Sequence, residues 1–376
     1  MMWISWMKKC GHYCDFFNMI DNNLSSLPEF DNHASVISVV DKGIGLKGFI
    51  AIHRGGTPEY PALGATRLWK YESENEALRD ALRLSHLMSY KSAIAGFSYG
   101  GAKGVLMIPE RGINNRKKFF QAYAKKVDAL GGGFVTGTDV GVTDDDVRII
   151  KEKTPYVIGS KLDPAYYTAV GVVGGMKVCL ERVFGSPRLK GHSFAIQGLG
   201  KVGSAVLQII YPDAGSIFVS DINKERTLAI KEKFPNVIVL SPDEIYRARV
   251  EIFMPCALGR ILNEQSIGEL RCTIIAGSAN NQLANKKVSD AIYRRSILYA
   301  PDYVINTGGF ISVVDEYQHG IPDAERILKN IDHMKGVLGE IFGEAARKKE
   351  SSDTVADRIV EKLVRERNNT MLSERI

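Results

Sequence analysis

Cysteines and long apolar runs are both scarce in this chain of 376 residues. Its 5 cysteines are too few for a disulfide framework in so long a chain, so we expect a reducing, cytoplasmic location. No apolar run approaches the roughly 20 residues of a membrane span, so we expect no membrane partner. The N-terminal stretch also lacks the order of a secretory signal, because its apolar residues precede its lysines.

Concentrated positive charge is missing as well. The net charge of +6 comes from 49 basic and 43 acidic residues, and the basic residues are scattered along the chain. Without a basic arm or an arginine–aromatic array, we expect no nucleic-acid partner. Cys10, His12 and Cys14 lie close together, but no second ligand pair follows at a zinc spacing, so we predict no metal.

The chain does contain a regular alternation of strand and helix patterns, which predicts an α/β fold, and its length predicts two domains. Residues 36–54 predict two strands joined by a glycine turn. Ser73 and Glu76 predict a capping box at the start of a helix. The segment GGAKGVLMIP predicts a loop that leads into a strand, with Gly100 and Gly101 leaving room around a lysine.

A glycine-rich turn in the second half predicts a Rossmann-type, doubly wound dinucleotide-binding domain. The strand HSFAIQ runs into GLGKVG, which opens a helix, and the next strand ends at Asp221. Asp221 would accept hydrogen bonds from ribose hydroxyls and repel a 2′-phosphate, which favours NAD over NADP. The residues expected to form the turn are Gly198, Leu199, Gly200, Lys201, Val202, Gly203 and Ser204.

A dinucleotide site requires other groups to handle the substrate. None of the 7 histidines has the context of a hydroxy-acid relay, and we interpret His53 as structural. Lys91, Lys103 and Asp139 are the remaining candidates. Two neighbouring lysines in an apolar setting would lower each other's pKa, so one could act as a base and the other bind a carboxylate. These residue types suit an α-amino acid, although solvated loop lysines remain the alternative.

Eight sequence motifs, in this order along the chain, resemble those of a known protein family. They are PALGATRLW, LMSYKSAIAGFSYGGAKGVLM, TGTDVGV, QGLGKVG, SDINKE, MPCALGRILN, IAGSANNQL and APDYVINTGGFISVVDEY. From about residue 36 to the last helices, they resemble the amino-acid dehydrogenase family of glutamate, leucine, phenylalanine and valine dehydrogenases. The resemblance is closest to the leucine dehydrogenase branch.

The resemblance implies roles for the candidate residues. Lys91 would bind the substrate carboxylate, Lys103 would assist water attack on an imine, and Asp139 would exchange protons with the amine. Further cofactor-binding positions would be Thr168, Ala257 and Asn281, with Asn281 near the nicotinamide. The implied reaction converts an L-amino acid, NAD and water to a 2-oxo acid, ammonia and NADH.

The resemblance also implies an organisation. We expect an extension over residues 1–18, which we interpret as disordered, and a substrate-binding domain over residues 19–160. The C-terminal helices over residues 335–376 would complete that domain, and residues 161–334 would bind NAD. Members assemble as homo-oligomers, from dimers to octamers.

The substrate side chain is less constrained. Leu63 stands before Gly64 where glutamate-specific relatives carry a lysine, and with Val313 it would form an apolar pocket wall that disfavours glutamate. Gly137 would enlarge the pocket, as in phenylalanine-preferring relatives, whereas Phe310 would fill space or offer a ring for stacking. We expect leucine or another branched-chain substrate. The alternatives are an aromatic substrate and, more distantly, a non-catalytic NAD-binding homologue.

Overall fold

The computed structural model describes residues 24–159, 162–257 and 259–373, with side chains as far as residue 366. The predicted extension over residues 1–18, including Cys10, His12 and Cys14, lies outside these residues. The described part contains two separate sheets, one in each half of the chain. Among the described residues, none of the helices combines the length and the apolar composition of a membrane span.

The first sheet has five strands in the order β1-β2-β4-β3-β5. Its strands are β1 (Ser35–Asp41), β2 (Leu46–Ile52), β3 (Ala62–Trp69), β4 (Gly100–Met107) and β5 (Phe134–Val135). Strand β4 pairs antiparallel with β2 and parallel with β3. Three helices accompany the sheet: α1 (Glu74–Ile94), α2 (Arg116–Asp128) and α3 (Asp144–Lys151). Separate apolar clusters pack against α1 and against α2 with α3.

Local signals placed most of these elements. The predicted hairpin of β1 and β2 is present, and α1 begins after Ser73, whose side chain accepts the Glu76 N–H. A capping box also requires the Glu76 carboxylate to accept the N–H of Ser73. This part of the prediction is wrong, because the carboxylate accepts the N–H of Glu72 instead. A short 3₁₀ helix, Leu24–Ser26, precedes the first sheet.

The prediction of a loop at the start of GGAKGVLMIP is wrong. The strand already begins at Gly100, so Lys103 lies within a strand. An added Cβ at Gly100 would collide with the carbonyl of Arg54, and one at Gly101 would collide with the backbone of Ser89 in α1. These glycines therefore allow close approach of neighbouring backbone and do not leave space around Lys103.

The second sheet has six strands in the order β11-β10-β9-β6-β7-β8, and all its pairings are parallel. Its strands are β6 (Ser193–Gln197), β7 (Ser216–Ser220), β8 (Ile238–Val239), β9 (Ile252–Pro255), β10 (Ile274–Ile275) and β11 (Leu298–Tyr299). This is the strand order of a doubly wound Rossmann sheet, with the topological switch point between β6 and β9. The predicted α/β fold is confirmed.

Helices cover both faces of this sheet. They are α4 (Pro164–Phe184), α5 (Lys201–Ile210), α6 (Lys224–Lys233), α7 (Glu264–Glu269) and α8 (Lys286–Arg294), with a 3₁₀ helix at Glu244–Arg247. One apolar cluster includes residues of α4, α5 and the central strands, and another lies beneath α7 and α8.

The last helices contact both halves of the chain. They are α9 (Asp302–Ile305), α10 (Gly308–His319), α11 (Ala324–Lys348) and α12 (Ser352–Ser373). Helix α11 packs on α4, and α12 packs on α1 of the first half. The ring of Tyr90 in α1 contacts that of Tyr303 in α9, with their centroids 5.6 Å apart. The domain boundaries near residues 160 and 334 stay predictions.

The close approach at Gly101 predicts a stability difference between two glycine substitutions. Gly101→Ala should destabilise the fold by at least ~1–3 kcal/mol, because a new methyl would collide with the backbone of α1. In Gly339→Ala, in α11, the new methyl meets no atom within 4 Å in the described part of the chain, and the change should stabilise the fold by about 0.5–1 kcal/mol through helix propensity. Urea unfolding at one protein concentration compares the two. Equal stability of both variants would contradict this account of Gly101.

Candidate active site

An ion pair between Lys103 and Asp139 lies at the centre of the site. The Lys103 Nζ and Asp139 Oδ2 atoms are 2.9 Å apart, and their side chains are only 6% and 18% exposed. Lys103 is held in β4 opposite Ala65 of β3. Asp139 follows an isolated bridge between Thr138 and Thr66, which brings its loop to the same strand. The structure therefore brings together the two predicted catalytic residues.

Arg67 extends this pair into a network. Its Nε donates to Asp139 Oδ2 at 2.9 Å, and its Nη1 donates to Asp80 Oδ2 at 2.9 Å. The Tyr71 hydroxyl donates to the same Asp80 oxygen at 2.6 Å, and Arg83 pairs with the other Asp80 oxygen. Asp139 thus accepts from two cations, one of which is itself anchored to α1.

Burial and charge set the protonation of the central pair. Burial opposes ionisation of Asp139, but the cations of Lys103 and Arg67 outweigh it and hold its pKa well below the usual range. Burial lowers the pKa of Lys103, and this effect exceeds the opposing attraction of Asp139. Asp139 is therefore a carboxylate at neutral pH, and Lys103 releases its proton more readily than a solvated lysine.

Lys91 lies near the end of α1 and reaches toward the second half of the chain. Its Nζ donates to Asn280 Oδ1 at 2.9 Å. Burial lowers its pKa to about 8, with attraction to Asp302 opposing and repulsion from Lys103 adding to the shift. The predicted repulsion between the lysines thus acts on Lys91. The cation that helps to lower the pKa of Lys103 is Arg67.

Arg67 and Asn280 were missed by sequence reasoning. Arg67 stands two positions after Ala65 in PALGATRLW, and alternate strand residues share a face, which was an available signal. Asn280 precedes the predicted Asn281, which has a left-handed backbone with φ of 51°. Asn306 fixes Asn280 by donating to its Oδ1 at 3.0 Å. No local pattern predicts that contact across 26 residues.

The predicted apolar pocket residues lie together. Leu63 and Phe310 belong to one buried cluster, with Val313 packed against it. The Phe310 ring meets Phe97 edge-on, with their centroids 6.0 Å apart. Phe310 is itself buried, so it fills space within this cluster.

Gly64 and Gly137 border this cluster through the backbone. An added Cβ at Gly64 would collide with the carbonyl of Ala102. One at Gly137 would lie 3.1 Å from the Ile158 oxygen and 3.6 Å from the Gly64 oxygen. The missing methyl of Gly137 therefore faces backbone oxygens, which weakens the expectation that this glycine enlarges a pocket.

The glycine-rich turn has the geometry that a dinucleotide pyrophosphate requires. Gly198 adopts φ of 97°, and an added Cβ there would lie 2.7 Å from the Ala257 nitrogen. Gly200 caps α5 without any side-chain hydrogen bond, and an added Cβ there meets no atom of the described residues within 4 Å. A Cβ at Gly203 would collide with the Gly198 carbonyl. Turn, open approach and close helix packing are the three roles of such glycines.

The other predicted cofactor residues surround this turn. Asp221 follows β7, and its Oδ2 accepts the Leu199 N–H at 2.7 Å. Arg226 Nη1 lies 3.7 Å from the same oxygen, which offsets part of the negative charge. Ser204 Oγ donates to the Leu199 carbonyl at 2.9 Å. Lys201 and Val202 begin α5.

Thr168 lies in α4, away from the turn in sequence. Its Oγ1 donates to the Pro164 carbonyl at 2.8 Å. An added Cβ at Gly309 would collide with Thr168 Oγ1, so α4 and α10 meet closely here. Thr168 is therefore positioned by the contact between these two helices.

Comparison with known proteins identifies the family. Residues 33–156 match the model described as Glu/Leu/Phe/Val dehydrogenase, dimerisation domain, and residues 159–370 match Glutamate/Leucine/Phenylalanine/Valine dehydrogenase. The chain belongs to this family. It is an amino-acid dehydrogenase, as the motifs predict.

Individual relatives of this amino-acid dehydrogenase span most of its length. Leucine dehydrogenase from Geobacillus stearothermophilus is 40% identical over 89% of this chain and 91% of its own. L-tryptophan dehydrogenase from Nostoc punctiforme is 41% identical over 88% and 92%. A crystal structure of L-tryptophan dehydrogenase from Nostoc punctiforme superposes with a TM-score of 0.74 at 39% identity, covering 90% of this chain and 97% of that chain.

The position of Arg67 predicts a shifted pH profile in this amino-acid dehydrogenase. In Arg67→Gln, Asp139 loses a cation that favours its charged form, and Lys103, the proposed base, loses one that opposes its charged form, so the pKa of each should rise. The acidic limb of kcat/KM should then move to higher pH, and one pKa unit corresponds to about a tenfold loss at low pH. Arg67→Lys, which keeps the charge, should shift the limb less.

Arg358 provides the matched control. Like Arg67, it pairs with two carboxylates, here those of Glu344 and Glu350 near the C-terminal helices. Arg358→Gln should leave the pH profile unchanged. Equal profiles for the Arg67→Gln and Arg358→Gln proteins would show that Arg67 does not act on the Lys103–Asp139 pair.

Proposed function

We propose that the chain catalyses the reversible NAD-dependent oxidative deamination of an apolar L-amino acid, leucine or another branched-chain one. The products are the 2-oxo acid, ammonia and NADH. The observation that carries this proposal is the buried Lys103–Asp139 pair, 2.9 Å apart, in a fold that also contains a dinucleotide-type glycine turn. Both features occur in a chain 40% identical to a leucine dehydrogenase.

Lys91 is proposed to bind the substrate carboxylate. Its ammonium is held by Asn280 from the second half of the chain, so the two halves would position the substrate jointly. A partly buried cation binds a carboxylate more strongly than a solvated one, because water screens the attraction less. Asn280 acts as a positioning residue in this scheme.

Lys103 and Asp139 are proposed to move the protons. The bound nicotinamide supplies the acceptor for the hydride that leaves the substrate α-carbon. The pKa of Lys103 is lowered by burial, so Lys103 can take a proton from the water that attacks the resulting imine. In the reverse reaction, Lys103 polarises the carbonyl of the 2-oxo acid. Asp139 exchanges a proton with the amine, which departs as ammonia.

The glycine turn and Asp221 are proposed to hold NAD. The open N-terminus of α5 at Gly200 suits the pyrophosphate, and Asp221 suits the ribose hydroxyls. Arg226, 3.7 Å from Asp221, is the feature that would favour NADP instead. Ala257, Asn281 and Thr168 are proposed to complete the cofactor site.

The side-chain pocket is proposed to consist of Leu63, Phe310 and Val313, bordered by Gly64 and Gly137. Its apolar lining would leave a glutamate side chain desolvated and unpaired, which is costly. Phe310 fills space within the cluster, which favours a branched aliphatic substrate. The alternative is an aromatic amino acid, supported by 41% identity to an L-tryptophan dehydrogenase and by the ring of Phe310.

We also infer a homo-oligomer, because the matching N-terminal model is described as a dimerisation domain. The substrate-binding domain is proposed to span residues 19–160 with residues 335–376, and the NAD domain residues 161–334. The contact of α12 with α1 supports this assignment.

A substrate panel tests the proposed function. We expect NADH formation with leucine and valine to exceed that with phenylalanine and tryptophan, and NAD to be preferred over NADP. Higher kcat/KM with the aromatic substrates would select the alternative. Absence of turnover with all four would contradict amino-acid dehydrogenase activity and support a non-catalytic homologue.

Substitution of the two lysines should separate catalysis from binding. Lys103→Ala should lower kcat by ~10²–10⁴-fold, the usual contribution of a positioned acid–base group, and should retain NAD binding by calorimetry. Lys91→Ala should chiefly raise the KM for the amino acid. Lys117→Ala, an exposed lysine on α2, is the control. Turnover of Lys103→Ala comparable to the control would refute the assignment.

A further inference from the structure

Three potential metal ligands converge beside the first sheet, outside the residues assigned above. Asp31 precedes β1, His53 follows the end of β2, and His86 lies on α1. One ligand atom from each lies within 4.8 Å of the others. Asp31 Oδ2 is 3.0 Å from His53 Nε2 and 3.6 Å from His86 Nε2. Small side-chain movements would bring all three ligand atoms to roughly 2.0–2.2 Å from a shared Zn²⁺, which is the distance at which nitrogen and oxygen bind this ion.

The surrounding structure holds the imidazoles in place. The backbone N–H of His53 donates to the Gly101 carbonyl at 2.8 Å, and its side chain is fully buried. The His53 ring lies between those of His33 and His86, with centroids 4.9 and 4.7 Å away. His86 also packs against Tyr90 at 4.1 Å. The two ligand rings are therefore preorganised by packing.

The ligand chemistry suits a divalent transition metal. Two imidazole nitrogens and one carboxylate oxygen form a donor set that Zn²⁺ commonly binds, and each imidazole binds the ion through the lone pair of an unprotonated ring nitrogen. Asp31 is 51% exposed and His86 27% exposed, which gives an ion access from solvent. The Asp31 carboxylate can only accept, so His53 Nε2 carries the proton in this contact. When Nε2 binds an ion, that proton moves to Nδ1, which has no hydrogen-bond partner among the described residues.

Two features oppose tight binding. Arg54 Nη2 lies 3.4 Å from Asp31 Oδ2, and its charge repels a cation. His33 Nε2 already contacts the Leu82 carbonyl and Ser85 Oγ, at 3.0 and 3.1 Å, so His33 does not supply a fourth ligand in this arrangement. We therefore expect a site of three protein ligands with micromolar affinity.

We propose that Asp31, His53 and His86 form a binding site for a divalent transition metal, with Zn²⁺ the ion best suited to this ligand set. Three protein ligands leave a fourth tetrahedral position for water. The ion would link the segment before β1 and the end of β2 to α1. This proposal does not depend on the proposed dehydrogenase reaction.

Zinc binding by the full chain tests the proposal. Cys10, His12 and Cys14 could bind zinc themselves, so the parent protein carries Cys10→Ser, His12→Gln and Cys14→Ser. After chelator treatment, equilibrium dialysis against ZnCl₂ with elemental analysis should give one ion per chain. Because the ion binds the folded state, Zn²⁺ should also raise the thermal midpoint. Absence of stoichiometric zinc at micromolar concentrations would overturn the proposal.

Ligand variants locate the ion. Asp31→Asn and His86→Leu should each weaken zinc binding by at least ~10²-fold, since even outer-shell partners of metal ligands typically contribute 10–100-fold. Both positions are partly exposed, so their thermal midpoints in EDTA should remain close to that of the parent. His333→Gln, an exposed histidine on α11, should bind as the parent does. Parental affinity in both ligand variants would place the zinc elsewhere and refute the site.

Discussion

The buried ion pair of Lys103 and Asp139 is the interaction on which the rest of the site depends. Removing one partner from such a pair leaves a buried charge uncompensated, which typically costs about 3–5 kcal/mol. Arg67 and Asp80 extend the pair into a larger set of opposite charges. These charges come from β3, β4, α1 and the loop after β5. The arrangement of the first half of the chain therefore keeps these charges paired.

The contact of Lys91 with Asn280 couples that network to the second half of the chain. Lys91 belongs to α1, which also packs against β4 and α12. The same helix therefore borders the ion pair and meets the loop after β10 and the C-terminal helix. A substrate bound by Lys91 would lie where both halves contribute, which is the physical reason that neither half alone forms the proposed site.

The glycine-rich turn differs from the ion-pair network, because its geometry depends on the absence of side chains. Gly198, Gly200 and Gly203 each meet a separate requirement of the backbone. The charge around Asp221 is less simple than its carboxylate suggests, because Arg226 approaches the same oxygen. The proposed preference for NAD therefore rests on one member of a pair of opposite charges, of which only the acid is part of the motif.

Sequence by itself determined the features that depend on neighbouring residues. The α/β class, the Rossmann unit, the cap at Ser73 and the family resemblance all follow from local motifs. Tertiary structure decided the contacts between distant residues. Arg67 meets Asp139 across 72 residues, Lys91 meets Asn280 across 189, and Asp31 meets His53 across 22. Such contacts depend on strand register and helix docking, which bring side chains to within 3 Å or so of each other only after the whole chain has packed.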